Sequence, residues 1–201
     1  MKILKTEILI SKGDFVNGNE FNQLLNDIYA SIRLVTWPPE SNKFTLNPVK
    51  KANGVKPIKN NCMNHLQKNN WYLEHRMSLG ARIKPGPIDA VKKLQNGLYF
   101  AVEWETGNIS SSHRAINKLA IGLLDNVLAG GILILPSRNM YKFLTDRIGN
   151  FPEIEPYFPM WKNLAIASGY LAVIEIEHDE LSENIPFIPK GNDGWALIQK
   201  G

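Results

Sequence analysis

A strand that ends in two carboxylates places the tightest limits on how this chain can fold. Residues 98–105 are mostly aromatic and β-branched before that end, which is typical of a strand interior, and they follow Gln95-Asn96-Gly97. An Asn-Gly pair between two apolar runs favours a tight hairpin turn. We therefore predict that residues 88–93 and 98–105 form two paired strands of one hairpin.

The end of the second strand carries Glu103 and Glu105. Because side chains alternate along a strand, both would point to the same face, roughly 7 Å apart. Asp89 lies on the neighbouring segment, and these carboxylates would repel one another unless a cation held them. Mg²⁺ takes carboxylate oxygens and serves phosphoryl transfer, so it is the predicted cation. The alternative is that Glu103 and Glu105 are only solvent-facing strand residues.

The chain then turns at Gly107-Asn108 and enters a helix predicted over about 109–126. Asn108 or Ser110 would be its N-cap, since their side-chain oxygens can accept from free N–H groups of the first turn. The N-terminus of this helix would lie beside the acidic residues, and anions are favoured at such a position. Capping alone is the structural alternative to a DNA-reading role for these two residues.

Apolar spacing predicts the remaining elements and an α/β architecture. The predicted order of helices, a hairpin and single strands implies one domain, residues 1–201, with a central mixed β-sheet flanked by helices. Further helices are predicted over 21–32, 57–77, 138–147 and 152–168, strands over 132–135 and 170–177, a loop over 38–57, a chain break at Gly130-Gly131 and a short irregular tail over about 186–201.

Composition narrows the function classes only coarsely. The net charge is +4 and the pI is near 9.1, which is compatible with a polyanionic partner but is weak support for one. The single cysteine, Cys62, excludes an internal disulfide and a cysteine-based zinc cluster. We find no signal peptide and no apolar run long enough to span a bilayer, so we expect a cytoplasmic protein without membrane contact.

The loop over 38–57 and the helix start that follows it are basic. A cluster of lysines there could contact phosphates, and the alternative for any one of them is a solvated surface side chain. The lysines are Lys43, Lys50, Lys51, Lys56 and Lys59.

Several blocks, in the same order along the chain, resemble type II restriction endonucleases of the BamHI family. The resemblance runs from about residue 20 to residue 194, and several ordered blocks are far more specific than a lone Asp…Glu-x-Glu pattern. The blocks are Trp37-Pro38, Asn53-Gly54-Val55-x-Pro57-Ile58-Lys59, Asn70-Trp71-Tyr72, Gly86-Pro87-Ile88-Asp89, Glu103-x-Glu105-Thr106-Gly107-Asn108-Ile109-Ser110-Ser111-x-His113-Arg114-x-x-Asn117-Lys118-Leu119, Leu144-Thr145-Asp146-Arg147, Glu155-Pro156-Tyr157-Phe158 and Ile188-Pro189-Lys190-Gly191-x-Asp193-Gly194.

The resemblance implies the PD-(D/E)XK nuclease fold and cleavage of duplex DNA with a divalent metal. By this resemblance, Asp89 and Glu103 are metal ligands, Glu74 contributes to metal binding, and the Trp104 carbonyl completes the shell. Glu105 takes the last motif position, where most of the wider fold has Lys, and is the predicted general base for water. Two Mg²⁺ ions are expected, with Mn²⁺ as a substitute and Ca²⁺ binding without cleavage. Glu74 has an alternative as a surface residue of the predicted helix.

The same resemblance assigns the DNA contacts. Arg pairs bidentately with guanine, Asn suits adenine and Asp accepts from cytosine, so Asp146-Arg147 fits a G·C pair. Arg114 would read the second guanine, and Asn108 with Ser110 the central A·T region. Surface ion pairing is the alternative for the arginines. The predicted DNA-binding residues are Asn108, Ser110, Arg114, Asp146, Arg147, Asp193 and Lys59.

Three functions follow as hypotheses. The first is a homodimeric endonuclease that cuts double-stranded DNA at GGATCC and leaves 5′ GATC overhangs, with a DNA methyltransferase as its functional counterpart. The second is a related nuclease with a degenerate GATC-centred site. The third is a sequence-specific DNA-binding protein that does not cleave. For the homodimer, we predict an intersubunit ion pair between Asp125 and Lys162.

Overall fold

The predicted hairpin forms as expected. In the computed structural model, which describes residues 1–79, 86–145 and 147–190, strands β4 (Ile88–Lys93) and β5 (Tyr99–Trp104) pair antiparallel. The N–H of Leu94 donates to the carbonyl of Leu98 at 2.8 Å, and Gly97 has a φ of +86° that suits glycine. The sequence prediction for this hairpin is therefore confirmed.

The sheet is built from β4, β5 and four further strands: β1 (Lys2–Lys12), β3 (Tyr72–His75), β6 (Leu128–Pro136) and β7 (Gly169–Glu177). These six strands form one mixed sheet in the order β1-β7-β6-β5-β4-β3. β5, β6 and β7 run parallel at its centre, and the pairs toward both edges are antiparallel. β1 lies at one edge, with register shifts between Ile3 and Lys5 and between Ile8 and Ile10. Strands β2 (Thr45–Leu46) and β8 (Glu180–Leu181) form a separate parallel pair.

Helices cover both faces of the six-stranded sheet, so the predicted α/β architecture is confirmed. α1 (Asn19–Arg33) and α2 (Lys56–Lys68) pack on one face. α3 (Ile109–Leu124) packs on the opposite face. Shorter helices are α4 (Arg138–Tyr141), α5 (Phe151–Ile154) and α6 (Phe158–Lys162), with 3-10 turns over Asp14–Asn17 and Glu155–Tyr157.

Strand alternation separates the two halves of the core. On β5, Phe100 and Val102 pack with α1 and α2, whereas Ala101 packs with α3. Glu103 shares the parity of Ala101 and so belongs to the α3 side. The strand that carries the acidic residues therefore presents them toward the helix that begins only a few residues later.

Several sequence predictions need correction. The helix predicted over 57–77 ends at Lys68, and β3 follows it. Gly130-Gly131 lies inside β6 rather than at a break. Glycine suits position 130 because a Cβ there would lie 2.3 Å from the ring of Phe100. The helix predicted over 152–168 is a series of short turns, and the one over 138–147 ends at Tyr141. The N-terminal strand β1 was not predicted.

No helix in the described ranges combines the length and the apolar character that crossing a bilayer requires. Of the predicted irregular tail, residues 186–190 contain neither helix nor strand, and residues 191–201 lie outside the described ranges.

Candidate active site

Asp89 and Glu103 meet at one end of the β4–β5 pair. Ala90 pairs with Val102, so the same register places Asp89 opposite Glu103. The N–H of Asp89 donates to Oε2 of Glu103 at 3.3 Å, and the N–H of Trp104 donates to Oδ2 of Asp89 at 2.8 Å. Only 8% of Asp89 and 5% of Glu103 is exposed. The predicted convergence of these two carboxylates is therefore present in the structure.

Two lysines neutralise the carboxylates, one from each face of the sheet. Lys59 of α2 bonds Oδ1 of Asp89, and Lys118 of α3 bonds Oε1 of Glu103. Lys118 also donates to the carbonyl of Pro87 at 3.0 Å, which connects α3 to the segment before β4. Buried charges require such partners because isolated ions are strongly disfavoured away from water.

The environment shifts the pKa values of Glu103 and Lys59. Burial raises the pKa of Glu103 to about 7, with the Asp89 carboxylate adding to the shift and Lys118 opposing it. Burial lowers the pKa of Lys59, but the attraction of Asp89 and the weaker attraction of Glu74 exceed this effect and raise its pKa overall. Glu103 therefore carries a proton near neutral pH more readily than an ordinary carboxylic acid does.

Glu105 lies just beyond β5, at the start of the turn into α3. Its Oε1 accepts a 2.5 Å hydrogen bond from the N–H of Gly107. Burial raises the pKa of Glu105, and the N–H groups of Gly107 and Thr106 act against that rise. The carboxylate is thus fixed by the backbone of the turn while it faces the same cleft as Glu103.

Glu74 lies on a strand rather than on the predicted helix. It belongs to β3, it has a φ of +49°, and its side chain is exposed. Its Oε1 is 3.7 Å from Nζ of Lys59, which also bonds Asp89. The structure thus brings Glu74 to the margin of the acidic site through a shared lysine, and metal binding by Glu74 remains a prediction.

A cleft of about 530 Å³ opens over the acidic residues. The ends of β4 and β5 form its floor, and the exposed side of α3 forms one wall. Charged groups of both signs line the cleft. Its polar lining consists of Lys59, Asp89, Glu103, Glu105, Thr106, Ser111, Arg114, Asn117 and Lys118. Such a cleft can hold an anionic backbone over carboxylates whose charge lysines or metal ions balance.

The predicted base-reading residues lie at the N-terminus of α3. Asn108 is the N-cap, and its side chain accepts from the N–H of Ser111 at 3.1 Å, so the capping role is confirmed. Ser110 is exposed in the first turn, and Arg114 is exposed one turn further, where it donates to Oγ of Ser111 at 2.7 Å. Arg147 is exposed in the loop after α4, with a φ of +70°.

The base-reading roles of these residues, and the DNA contact of Lys59, remain predictions. Asp146 and Asp193, which were also predicted to contact DNA, lie outside the described residues.

The donor set fits magnesium in its chemistry. Hard carboxylate oxygens of Asp89 and Glu103 converge, and Mg²⁺ is commonly held by one or two carboxylates together with waters and substrate phosphates. Within residues 1–79, 86–145 and 147–190, no three His, Cys, Asp or Glu side chains form a metal cage of their own. Lys59 and Lys118 already place positive charge beside these oxygens.

Lys118 received no role in the sequence analysis although it contacts Glu103 directly. Its signal was its position four residues after Arg114, on the same helix face. That spacing alone could not identify its partner, because the packing of α3 against β5 decides which strand residue the side chain reaches.

Comparison with known proteins identifies the class of this chain. Residues 1–195 match the family model described as restriction endonuclease BamHI. The chain is 54% identical over 197 residues to the type II restriction enzyme OkrAI of Oceanobacter kriegii, covering 98% of this chain and 100% of that enzyme. It is 38% identical over 181 residues to the type II restriction enzyme BamHI of Bacillus amyloliquefaciens, covering 87% of this chain and 83% of that enzyme.

The fold is also found in a solved structure, restriction endonuclease BglII complexed with a DNA 16-mer. The TM-score is 0.64 at 11% identity, and the match covers 89% of this chain and 79% of that chain. The fold and the relatives define a type II restriction endonuclease, a site-specific deoxyribonuclease. Within that class, the chain belongs to the BamHI family.

Proposed function

We propose that this restriction endonuclease acts as a homodimer that hydrolyses both strands of double-stranded DNA at GGATCC, with Mg²⁺, and leaves 5′ GATC overhangs. One observation carries the proposal: the strand that ends in Glu103 and Glu105 leads directly into the helix that carries Asn108, Ser110 and Arg114. Groups for hydrolysis and groups for base recognition are therefore held on one continuous segment.

The acidic residues supply what hydrolysis of a phosphodiester requires. Asp89 and Glu103 would hold the metal, which when bound polarises phosphate oxygens and helps to generate hydroxide. Glu105 would accept the proton of the attacking water, and its hydrogen bond with Gly107 keeps its carboxylate aimed at the cleft. Lys59 and Lys118, freed from their carboxylates, are close enough to the cleft to contact phosphate oxygens.

The resemblance to the BamHI family implies the site GGATCC, and the side chains are compatible with its base edges. Arg147 would read the outer guanine and Arg114 the second guanine, since Arg donates bidentately to O6 and N7. Asn108 and Ser110 would read the central A·T pair. Exposure of all four residues around the start of α3 and the Arg147 loop supports this assignment.

A palindromic site implies two copies of the chain related by a two-fold axis. Exposed apolar side chains support that arrangement: Ile121 and Leu124 lie one turn apart on α3, and Tyr157 and Met160 lie on the segment over 155–162 that packs against α3. Trp161 donates to Asn117 at 2.9 Å and so holds α6 against α3.

The Asp125–Lys162 pair predicted for that interface meets a competing contact. Nζ of Lys162 already bonds Oε1 of Glu7 within the chain at 2.6 Å. An intersubunit pair would have to replace this bond, so the exposed apolar side chains support the dimer better than the ion pair does.

Cleavage of a mapped plasmid tests the proposal. With Mg²⁺ or Mn²⁺, we expect fragments that end only at GGATCC, and with Ca²⁺ we expect retention of the DNA without cutting. A plasmid in which one base pair of each site is changed serves as the matched control, and sequencing of the ends gives the cut position. Cutting at other GATC-centred sites would favour the degenerate nuclease, and specific binding without cutting would favour a DNA-binding protein.

A cognate methyltransferase follows from the proposed activity. A nuclease that cuts both strands at this site would also cut the genome of its host, so the host sites require modification. Methylation of GGATCC in the test plasmid is therefore expected to protect it from cleavage.

A further inference from the structure

Gly107 touches both halves of the proposed machinery. Its N–H donates to Oε1 of Glu105 at 2.5 Å, and its carbonyl accepts from the N–H of Gly149 at 2.8 Å. Gly149 is two residues beyond Arg147, which is predicted to read the outer guanine. A single peptide segment thus connects the predicted general base to the loop that carries a predicted base-reading side chain.

The two glycines are closely packed against neighbouring side chains, which would have to shift to accept a Cβ. A Cβ at Gly107 would lie 2.9 Å from Oε1 of Glu105 and 2.9 Å from Oγ of Ser111. A Cβ at Gly149 would lie 2.1 Å from Oγ of Ser112, which is shorter than any real contact. Neither glycine has a positive φ, so alanine would be allowed at both positions if the neighbours made room.

Ser112 forms the wall against which Gly149 packs. Its Oγ is fully enclosed and has no hydrogen-bond partner among the described residues. Apart from that oxygen, the nearest atoms to a Cβ at Gly149 are Cβ of Ser112 at 3.3 Å and Cα of Ile109 at 3.4 Å. Removal of one buried oxygen would therefore make room for a methyl group.

We propose that Gly107 and Gly149 form a joint that sets the position of the Arg147 loop and of the Glu105 carboxylate together. The inference rests on the proposed function, in which Arg147 reads a base and Glu105 acts on water. Both glycines are positioning residues, since neither needs to contact DNA or the attacking water. Through this joint, the position of the Arg147 loop on its base pair and the orientation of the Glu105 carboxylate depend on each other.

Three variants test the joint. Gly149→Ala introduces the clash with Ser112, Ser112→Ala removes the clashing oxygen alone, and the double variant combines the two changes. Single-turnover cleavage is measured for each with GGATCC and with a site changed at the outer base pair. Binding of both sites is measured in Ca²⁺, where cutting is not expected, and circular dichroism shows that each variant is folded.

The expected pattern is a loss in one variant and its recovery in another. Gly149→Ala should lower the single-turnover rate by on the order of tenfold to a hundredfold and reduce discrimination in both cleavage and binding. Ser112→Ala should leave rate and discrimination within about twofold of the wild type, and the double variant should regain most of both. A general loss of stability would lower the rate and leave the discrimination ratio unchanged, so the loss and recovery of discrimination identify a displaced loop.

Two results would overturn the joint while leaving the proposed function standing. In one, Gly149→Ala retains the rate and discrimination of the wild type. In the other, its loss is confined to rate, discrimination is unchanged, and the double variant does not recover. A wild-type enzyme that cuts at no specific site would instead refute the proposed function, and the joint with it.

Discussion

The N–H of Asp89 donates to Oε2 of Glu103 at 3.3 Å, so the backbone beneath one carboxylate holds the other in place. The two side chains form a unit in which each also has its own lysine partner, Lys59 or Lys118. A change at either acid should therefore disturb the site locally and leave intact the segments that we propose to read bases, which lie beyond β5.

The first prediction concerns these two acids. Asp89→Asn and Glu103→Gln should each lower cleavage by about a thousandfold or more, because each removes a negative charge that the proposed metal would require. Metal-independent binding to GGATCC should persist. Gel retardation and single-turnover cleavage measure the two effects, and Glu180→Gln, which changes an exposed ion pair with Lys43, is the control. Cleavage within about tenfold of the wild type would contradict these roles.

The second prediction concerns pH. Burial, together with Asp89, raises the pKa of Glu103 to about 7. The folded chain then holds this proton more tightly than the unfolded chain, whose Glu pKa is near 4.5. The stabilisation is fully present below pH 4.5 and is lost as the pH rises through 7, so the metal-free free energy of unfolding should fall over this window by on the order of 3 kcal/mol.

Urea unfolding in EDTA at several pH values between 4.5 and 8 measures this slope. Glu103→Gln cannot titrate and should lack that part of the slope, whereas Glu180→Gln should keep it. Equal slopes in the wild type and Glu103→Gln would show that the proton is held elsewhere. With Mg²⁺ present, the wild-type decline should be reduced, since a metal competes with the proton for the same oxygens.

The third prediction concerns Arg147. Arg147→Ala should weaken binding to GGATCC by about 1–3 kcal/mol and relax discrimination at one base pair of each half-site. Competition binding with each single-base variant of the site measures this pattern. Arg138→Ala is the control, because Arg138 forms an exposed ion pair with Glu153 at 3.3 Å. A uniform loss across all sequences would mean that Arg147 contacts phosphate instead.

The fourth prediction concerns Leu124, an exposed apolar residue at the end of α3. Leu124 is 48% exposed, and Leu124→Glu would place a charge in the proposed dimer interface. We expect the dimer dissociation constant to rise by about tenfold or more, with a parallel loss of double-strand cleavage. Leu181→Glu is the matched control, since Leu181 is 44% exposed on β8, away from α3. Sedimentation equilibrium separates the two, and equal effects of both changes would argue against this interface.

Local signals predicted the parts of the molecule that local chemistry determines. The Asn96-Gly97 turn fixed the β4–β5 hairpin, and the register of that hairpin brought Asp89 to Glu103. Asn108 caps α3 as its side chain allows. The resemblance to a family then implied roles that residue spacing alone left open, including the predicted role of Glu105 as general base.

The failures arose where tertiary packing decides the outcome. Gly130 and Gly131 look like a chain break, yet they lie in β6 because Phe100 and Leu119 pack against their backbone. The predicted helix that contains Glu74 runs past Asn69 and Asn70, which end α2, and the four-residue strand β3 follows them. Lys118 was not assigned because its partner Glu103 is distant in sequence.

The irregular register of β1 has a consequence for how copies of this chain meet. A flat edge strand exposes unpaired N–H and C=O groups that can pair with a strand of another chain, and repeated pairing of this kind produces open-ended fibres. Here the strand is bent by two register shifts, and its Lys5 and Glu7 are tied to Glu155 and Lys162. These features disfavour edge-to-edge pairing of β1 with another chain. Self-association would therefore use a surface that forms a closed assembly.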